Sequence, residues 1–375
     1  MYKMMTPGPT MVADSVMEAR RKPFGNPDVD PDFCEEYHEI CGRLGGLLHT
    51  ANDVLILGGE GILALEAACA SLTEPGDRVL VLDNGIFGKG FADFASIYGG
   101  EPVLYTTDYH EPIDVAALEQ YLEKDHDFKY ATVVHCDTPS GVLNDISKIC
   151  PLLKKYGILT VVDSVAAMFG EPVFVDEWQI DVICGGSQKA LSAPPGLAFV
   201  TVSPDAWTMM KARKTPIASF YCNLMTFASY YEDKWFPYTM PISDIYGLGK
   251  AVELVEEDTD RIQRHHDIAK AVRQVVVQNG LELYLKYGDA ATVTVVRVPE
   301  GLTDQDIIAG MKEKGVLISG SFDVLAGKVI RLGHMGNNAN IEDVTHMLEV
   351  FGQTLQELGY KNRCDMKEEF IRIAK

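Results

Sequence analysis

The sequence predicts an α/β protein with a mostly parallel seven-stranded sheet flanked by helices, followed by a smaller C-terminal α/β unit. Two observations carry that prediction. Apolar runs of strand length alternate with segments of helical period, the pattern of a parallel sheet with crossover helices. At 375 residues the chain is also long enough for more than one domain of ordinary size.

Taken in order, Val54 to Leu57 is a short apolar strand ending in Gly58-Gly59-Glu60-Gly61. A helix from Ile62 to Leu72 follows and stops at Pro75-Gly76-Asp77. Arg78 to Leu82 is the next strand and runs into the turn Asn84-Gly85. Glu101 to Tyr105, Tyr130 to His135, Leu159 to Val162, Asp181 to Cys184 and Leu197 to Val202 complete the sheet. Helices are expected over Gly88–Tyr98, Val115–Glu123 and Ile146–Tyr156. The character changes near Pro241, after which Ile242 to Val277 reads as one long helix with Gly247 and Gly249 as weak points. Strands at Ala291–Val298, Val316–Ser319 and Lys328–Gly333, with helices at Asp304–Lys314 and Ile341–Leu358, form the smaller unit. The expected division is an arm at 1–15, a large unit at 16–258, a small unit at 259–360, and a charged, partly disordered tail at 361–375.

The formal charge of −21 argues against nucleic acid or anionic membrane as a partner, since phosphate-rich surfaces require basic patches. No segment has the length of apolar sequence that crosses a bilayer, and the start carries no secretory apolar run. The eight cysteines form no Cys-x-x-Cys pair and no zinc-like spacing. A reduced, cytoplasmic protein without a metal site is the expectation.

Two residues stand out chemically. Asp163 closes a near-continuous apolar strand, and Lys189 follows the next strand in the small-residue run Gly185-Gly186-Ser187-Gln188-Lys189-Ala190. Ligands of open parallel sheets bind at the carboxyl ends of the strands. An aspartate and a lysine at successive strand ends can hold pyridoxal phosphate, the carboxylate against the pyridine nitrogen and the amine as Schiff-base partner. A helix cap for Asp163 and a surface role for Lys189 are the competing readings. Gly58-Gly59-Glu60-Gly61 could receive a phosphate on free N–H groups, or could be a simple turn. Glu60 is awkward there, because its carboxylate repels an anion unless it points away. Phe87 could cover a ring or pack in a core. Arg331 sits among apolar residues on a strand, where its charge needs a partner such as a substrate carboxylate.

Together these segments resemble the class V aminotransferases of the fold-type I pyridoxal-phosphate superfamily, most of all the alanine–glyoxylate and serine–pyruvate group. The likeness runs from Thr6-Pro7-Gly8-Pro9 to the last helix. Its specific parts are Val162-Asp163-Ser164-Val165-Ala166, Gly186-Ser187-Gln188-Lys189-Ala190-Leu191, Ala193-Pro194-Pro195-Gly196, His135-Cys136-Asp137-Thr138-Pro139-Ser140-Gly141 and Ile330-Arg331-Leu332-Gly333. The resemblance implies that Lys189 is the Schiff-base lysine, Asp163 the pyridine-nitrogen partner and Phe87 a stacking ring in place of the usual tryptophan. It implies that Gln188 touches the phosphate, Thr138 lies near ring and substrate, and Arg331 grips the substrate carboxylate. Thr239 matches a phosphate contact given by a neighbouring subunit, which implies a homodimer with shared sites.

The chain departs from the family at its phosphate loop. Glu60, Gly61 and Ile62 stand where relatives offer a serine, then a glycine followed by a threonine or histidine, so phosphate contact falls to backbone N–H groups, Gln188 and Thr239, and cofactor retention is expected to be weak. Phe236 replaces a tyrosine of some relatives. The implied reaction moves an amino group from alanine or serine to glyoxylate or pyruvate with ping-pong kinetics. Alternatives on the same fold are a 2-aminoethylphosphonate–pyruvate aminotransferase and a cysteine desulfurase. From other classes, a non-catalytic binding protein and a nicotinamide dehydrogenase remain, the latter without its glycine fingerprint.

Overall fold

The structure is a computed structural model and describes residues 2–374. Fourteen strands organise these described residues. They are β1 (Lys3–Met4), β2 (Asp53–Gly58), β3 (Arg78–Asp83), β4 (Glu101–Thr106), β5 (Tyr130–Val134), β6 (Cys136–Asp137) and β7 (Val142–Leu143). The second half holds β8 (Leu159–Asp163), β9 (Val182–Gly186), β10 (Leu197–Val202), β11 (Val293–Arg297), β12 (Val316–Leu317), β13 (Ser319–Gly320) and β14 (Val329–Gly333). All seven strands expected for the large sheet are present, in the order β2-β10-β9-β8-β5-β3-β4.

The pairs β3–β4, β3–β5, β5–β8 and β8–β9 are parallel, and β10 alone runs against both neighbours. The reason is local. A parallel return needs a crossover, usually a helix. The connection Ser187–Gly196 contains none, so the chain turns straight back. Ser187 N–H donates to Leu197 O at 3.0 Å and its hydroxyl donates to Pro194 O at 2.7 Å, closing the turn. The lysine rides on this connection.

Helices α1 (Asp14–Ala19), α2 (Pro31–Leu47), α3 (Gly61–Leu72), α4 (Ile86–Ile97), α5 (Val115–Leu122), α6 (Ile146–Lys155) and α7 (Pro204–Lys211) belong with the large sheet. The short α8 (Tyr230–Asp233) and the long α9 (Ile242–Glu257) follow. The inner strands are apolar on both faces because helices cover both. One continuous core runs from Val16 through Leu55, Val81, Val133 and Val200 to Val252.

A second core gathers Met5, Val272, Ile307, Ile330, Leu348, Phe351 and Phe370. It lies among the antiparallel sheet β11-β14-β13 and the helices α10 (Arg261–Gln278), α11 (Asp304–Glu313), α12 (Ile341–Glu357) and α13 (Met366–Ile373). Met5 reaches it because β1 pairs with β12, joining the chain's start to its C-terminal unit.

Two expectations are corrected. The single helix over 242–277 is two helices, broken at Asp258-Thr259-Asp260. Asp and Thr favour local side-chain bonds over helix interiors. Here Asp258 turns its carboxylate onto Arg261 and Arg264 of the next helix. The disordered tail is instead a helix over Met366–Ile373. Asp365 caps it by accepting from Lys367 N–H (3.0 Å) and Glu368 N–H (3.1 Å), and Phe370 is fully buried. Charge hid the apolar i, i+4 pair Met366 and Phe370, which suffices for an amphipathic helix.

Candidate active site

The carboxyl ends of β2, β3, β5, β8 and β9 lie along one edge of the sheet, and the site grows from them. Asp163 is the last residue of β8, registered against Val134 and Cys184 on its two neighbours. It is 6 % exposed and accepts Val165 N–H at 2.9 Å on Oδ1. Burial raises its carboxyl to about 7, partly offset by that N–H and by Lys189; Asp137 and Glu60 push in the same direction as burial. His135 lies behind it, with Nδ1 3.0 Å from Ser164 Oγ, and burial holds its ring neutral by lowering it to about 4.

Lys189 stands three residues past β9. Its Nζ donates to Pro7 O at 2.8 Å, and it makes no ion pair among the described residues. Burial pushes the amine below the usual lysine range, Arg331 adds to that, and Asp163 opposes it. The N-terminal arm therefore roofs the lysine. Gly8 has φ +89°, and a Cβ there would sit 2.3 Å from Lys189 Cδ. Only glycine satisfies both the backbone and the contact. Thr10 fastens the arm by donating its N–H to Gln188 O and its hydroxyl to Lys189 O, each at 3.1 Å.

Arg331, on β14, turns into the same cleft. Its Nε donates to Gly320 O at 2.7 Å, and the guanidinium lies 5.8 Å from the centre of the Phe322 ring. No carboxylate bonds it among the described residues, and burial lowers it to about 10. Phe322 meets Phe87 edge to face at 5.7 Å, so an aromatic rim joins the arginine to α4.

Phe87 is placed by Asp137, whose Oδ1 accepts Phe87 N–H at 3.0 Å while Oδ2 accepts the Ser140 hydroxyl at 2.7 Å. Gly85 is required here, because a Cβ would lie 2.4 Å from Asp137 Cγ. Thr138, buried at 2 %, follows directly in that turn. Asp137 and Phe322 had no assigned role in the sequence. Asp137's signal was its place in the Cys136-Asp137-Thr138-Pro139 run, and Phe322 has no local signal.

The other end of the cleft is different. Glu60 does not point away from the glycine turn. It caps α3, with Oε2 accepting Ile62 N–H at 3.1 Å and Oε1 accepting Gln188 Nε2 at 2.6 Å. Gly61 packs so closely that a Cβ would lie 3.0 Å from Val165. The Ile62 side chain is 43 % exposed, and only its N–H faces the seat. Gln188 is 4 % exposed, and its Oε1 is buried with no hydrogen-bond partner. Thr239 is not in the cleft of its own chain: it is exposed and donates to Asp28 at 2.9 Å.

Comparison with known proteins fits this geometry. The family model for class V aminotransferases matches residues 27–346. The pyridoxamine–pyruvate transaminase of Mesorhizobium japonicum is 33 % identical over 340 residues, covering 89 % of this chain and 86 % of its own. The alanine–glyoxylate aminotransferase of Callithrix jacchus is 33 % identical over 318 residues, 82 % of this chain and 76 % of its own. The solved ureidoglycine–glyoxylate aminotransferase of Bacillus subtilis superposes with a TM-score of 0.95 at 28 % identity, covering 100 % of this chain and 98 % of that one. The chain belongs to the class V aminotransferase family, a family of pyridoxal-phosphate-dependent transaminases.

Proposed function

We propose that this chain transfers an amino group from a small amino acid, alanine or serine, to glyoxylate or pyruvate at the cleft defined by Asp163, Lys189 and Arg331. The single observation that carries this is one buried and two half-buried ionisable groups, Asp163 at the end of β8, Lys189 on the connection after β9 and Arg331 within β14, that face one cleft without saturating one another. Two of the selected relatives name glyoxylate as acceptor and one names alanine as donor.

The ring and amine ends fit pyridoxal phosphate. A buried carboxyl with one N–H donor suits a protonated pyridine nitrogen, and a half-buried lysine without an ion pair among the described residues suits an aldehyde. When bound, that group supplies the aldehyde that captures an amine and the ring that accepts electron density from the substrate carbon. Asp163 would keep the ring nitrogen protonated. Phe87, held by Asp137, would cover the ring, with Thr138 beside it and Gln188 nearest its 5′ end. The Lys189 amine, which is deprotonated more readily than an exposed lysine, would take the α-proton of the amino acid and return it on the neighbouring carbon. Arg331 would hold the substrate carboxylate in a two-pronged bond.

A homodimer with shared sites belongs to the same reading. Thr239 and Asp28 are joined at the surface, and Phe24, Val29 and Trp235, each within five residues of one of them in the sequence, are exposed apolar side chains that a second copy could cover. So does the division into a large unit and a small unit near 258, supported by the two larger cores, with a smaller cluster of Val142, Ala166, Tyr284 and Val293 joining the units. Free thiols throughout suit the cytoplasm, and no described helix is long and apolar enough to cross a membrane. The 2-aminoethylphosphonate alternative is not favoured by the relatives. A desulfurase cysteine is missing as well: Cys222 is buried, and Cys364 lies beside Asn279 at the end of α10.

The test is Lys189→Ala assayed with alanine, serine, glutamate and aminoethylphosphonate against glyoxylate and pyruvate. Loss of turnover by three orders of magnitude or more, with parallel double-reciprocal lines for the unaltered protein, supports the reading. Full activity in Lys189→Ala overturns it.

A further inference from the structure

The seat for a phosphate at the start of α3 is already occupied by this chain's own carboxylate. Both Glu60 oxygens act as acceptors, one for Ile62 N–H and one for the Gln188 amide, as an ionised carboxylate does. The Ile62 N–H is a donor that the helix N-terminus would offer an anion, and the Gln188 amide adds a second from the connection after β9. Glu60 also lies near enough to act on both Asp163 and Lys189. A phosphate dianion entering here would lose those N–H groups and meet a like charge at contact range. Beside it the buried Gln188 Oε1 is an acceptor without a donor. An acceptor-rich pocket of this kind suits an O–H group in place of a phosphate.

We infer that Glu60 sets the 5′ specificity of the site, and that the chain takes an unphosphorylated pyridoxal or pyridoxamine, with its hydroxymethyl group against Glu60 and Gln188, as an exchangeable substrate. This rests on the transaminase reading for the ring and lysine ends and revises only the 5′ end. The reaction then balances without another reagent. Pyridoxamine loses its C–N bond and is oxidised to the aldehyde. The carbonyl carbon of a 2-oxo acid gives up its oxygen, gains the amino group and one hydrogen and is reduced to an amino acid, its oxygen leaving as water while a water supplies the oxygen of the aldehyde. Arg331 holds the oxo acid's carboxylate and Lys189 relays the proton.

The experiment measures binding of pyridoxal, pyridoxamine and their phosphate esters to the purified full chain by equilibrium dialysis, for the unaltered protein, Glu60→Ser and Glu60→Gln. Serine is itself a good N-cap, so α3 keeps its start. The unaltered protein should bind each unphosphorylated form at least about tenfold more tightly than its ester. Glu60→Ser should reverse that order, with Glu60→Gln between them. The unaltered protein should also convert pyridoxamine and pyruvate to pyridoxal over many turnovers. Stoichiometric pyridoxal phosphate that survives desalting, or a preference that Glu60→Ser leaves unchanged, overturns the inference while leaving the transaminase reading intact. Failure of all four compounds to bind overturns both.

Discussion

The Lys189 end of the cleft leaves its charges unmet, whereas the Glu60 end has answered its own. Asp163, Lys189 and Arg331 come from two strands and the connection after a third, are buried or half-buried, and are each displaced from their ordinary titration chiefly by desolvation. Glu60, Gln188 and Ile62 N–H instead form a set of hydrogen bonds that already makes up one helix cap and leaves only Gln188 Oε1 over. Burying a charge without a partner is costly, so its persistence marks where a ligand completes the structure. A satisfied cap marks where a ligand must displace something. The first end is built to receive and the second to discriminate.

The largest effect that sharpens this contrast is expected at Gly8. Gly8→Ala puts a methyl group into Lys189 and forces an unfavourable positive φ, so turnover should drop by about a hundredfold or more, as misplaced catalytic groups do. Steady-state kinetics with a circular-dichroism check of folding reads it. Unchanged kcat would break the view that the arm sets the lysine. Next is Asp163→Asn, where turnover should fall by roughly a hundredfold because an amide cannot stabilise a protonated ring nitrogen. Arg331→Lys should raise KM for the oxo acid by about ten- to hundredfold with little change in pyridine binding. An equal loss of pyridine affinity would contradict the separation of the two subsites.

Stability gives a further contrast. Asp163 is raised to about 7 in the folded chain. A raised folded pKa means that its contribution is fully present below the unfolded value near 3.9 and is lost as pH rises through 7. The ligand-free protein should therefore lose up to roughly 4 kcal/mol from this group between pH 4 and 7.5. Buried His135, His265 and His334 are depressed by burial and act in the opposite sense, losing stability as pH falls. The difference in Tm between the unaltered chain and Asp163→Asn, followed across that range, isolates the aspartate; a flat difference would sink the assignment. The smallest effect is at Glu60. Glu60→Ser should shift Tm by only a few degrees, since one cap replaces another.

Legibility in the sequence followed how local each signal was. All seven strands of the large sheet were readable, because buried parallel strands are continuous apolar runs. Asp163 and Lys189 were readable because a charged residue stands out at the end of such a run. The break after α9 and the helix at Met366–Ile373 were missed because they depend on Asp258 meeting Arg264 and on Phe370 finding a distant core. Glu60 was seen as awkward, but its direction was not readable. That depends on Gln188, 128 positions away. The roof over Lys189 was invisible for the same reason, since Pro7 lies 182 positions from its partner.

That roof ties two events together. Met5 is buried in the second core, β1 is zipped to β12, and two residues on, the Pro7 carbonyl holds the lysine amine. The arm is a latch with no slack between the docking of the C-terminal unit and the free amine. A ligand that draws Lys189 off Pro7 must strain or release that latch, so amide exchange at residues 3–10 would register occupancy of the cleft. The same latch makes these few residues a lever, where one cut or one bulky side chain would disengage the lysine and the C-terminal unit at once.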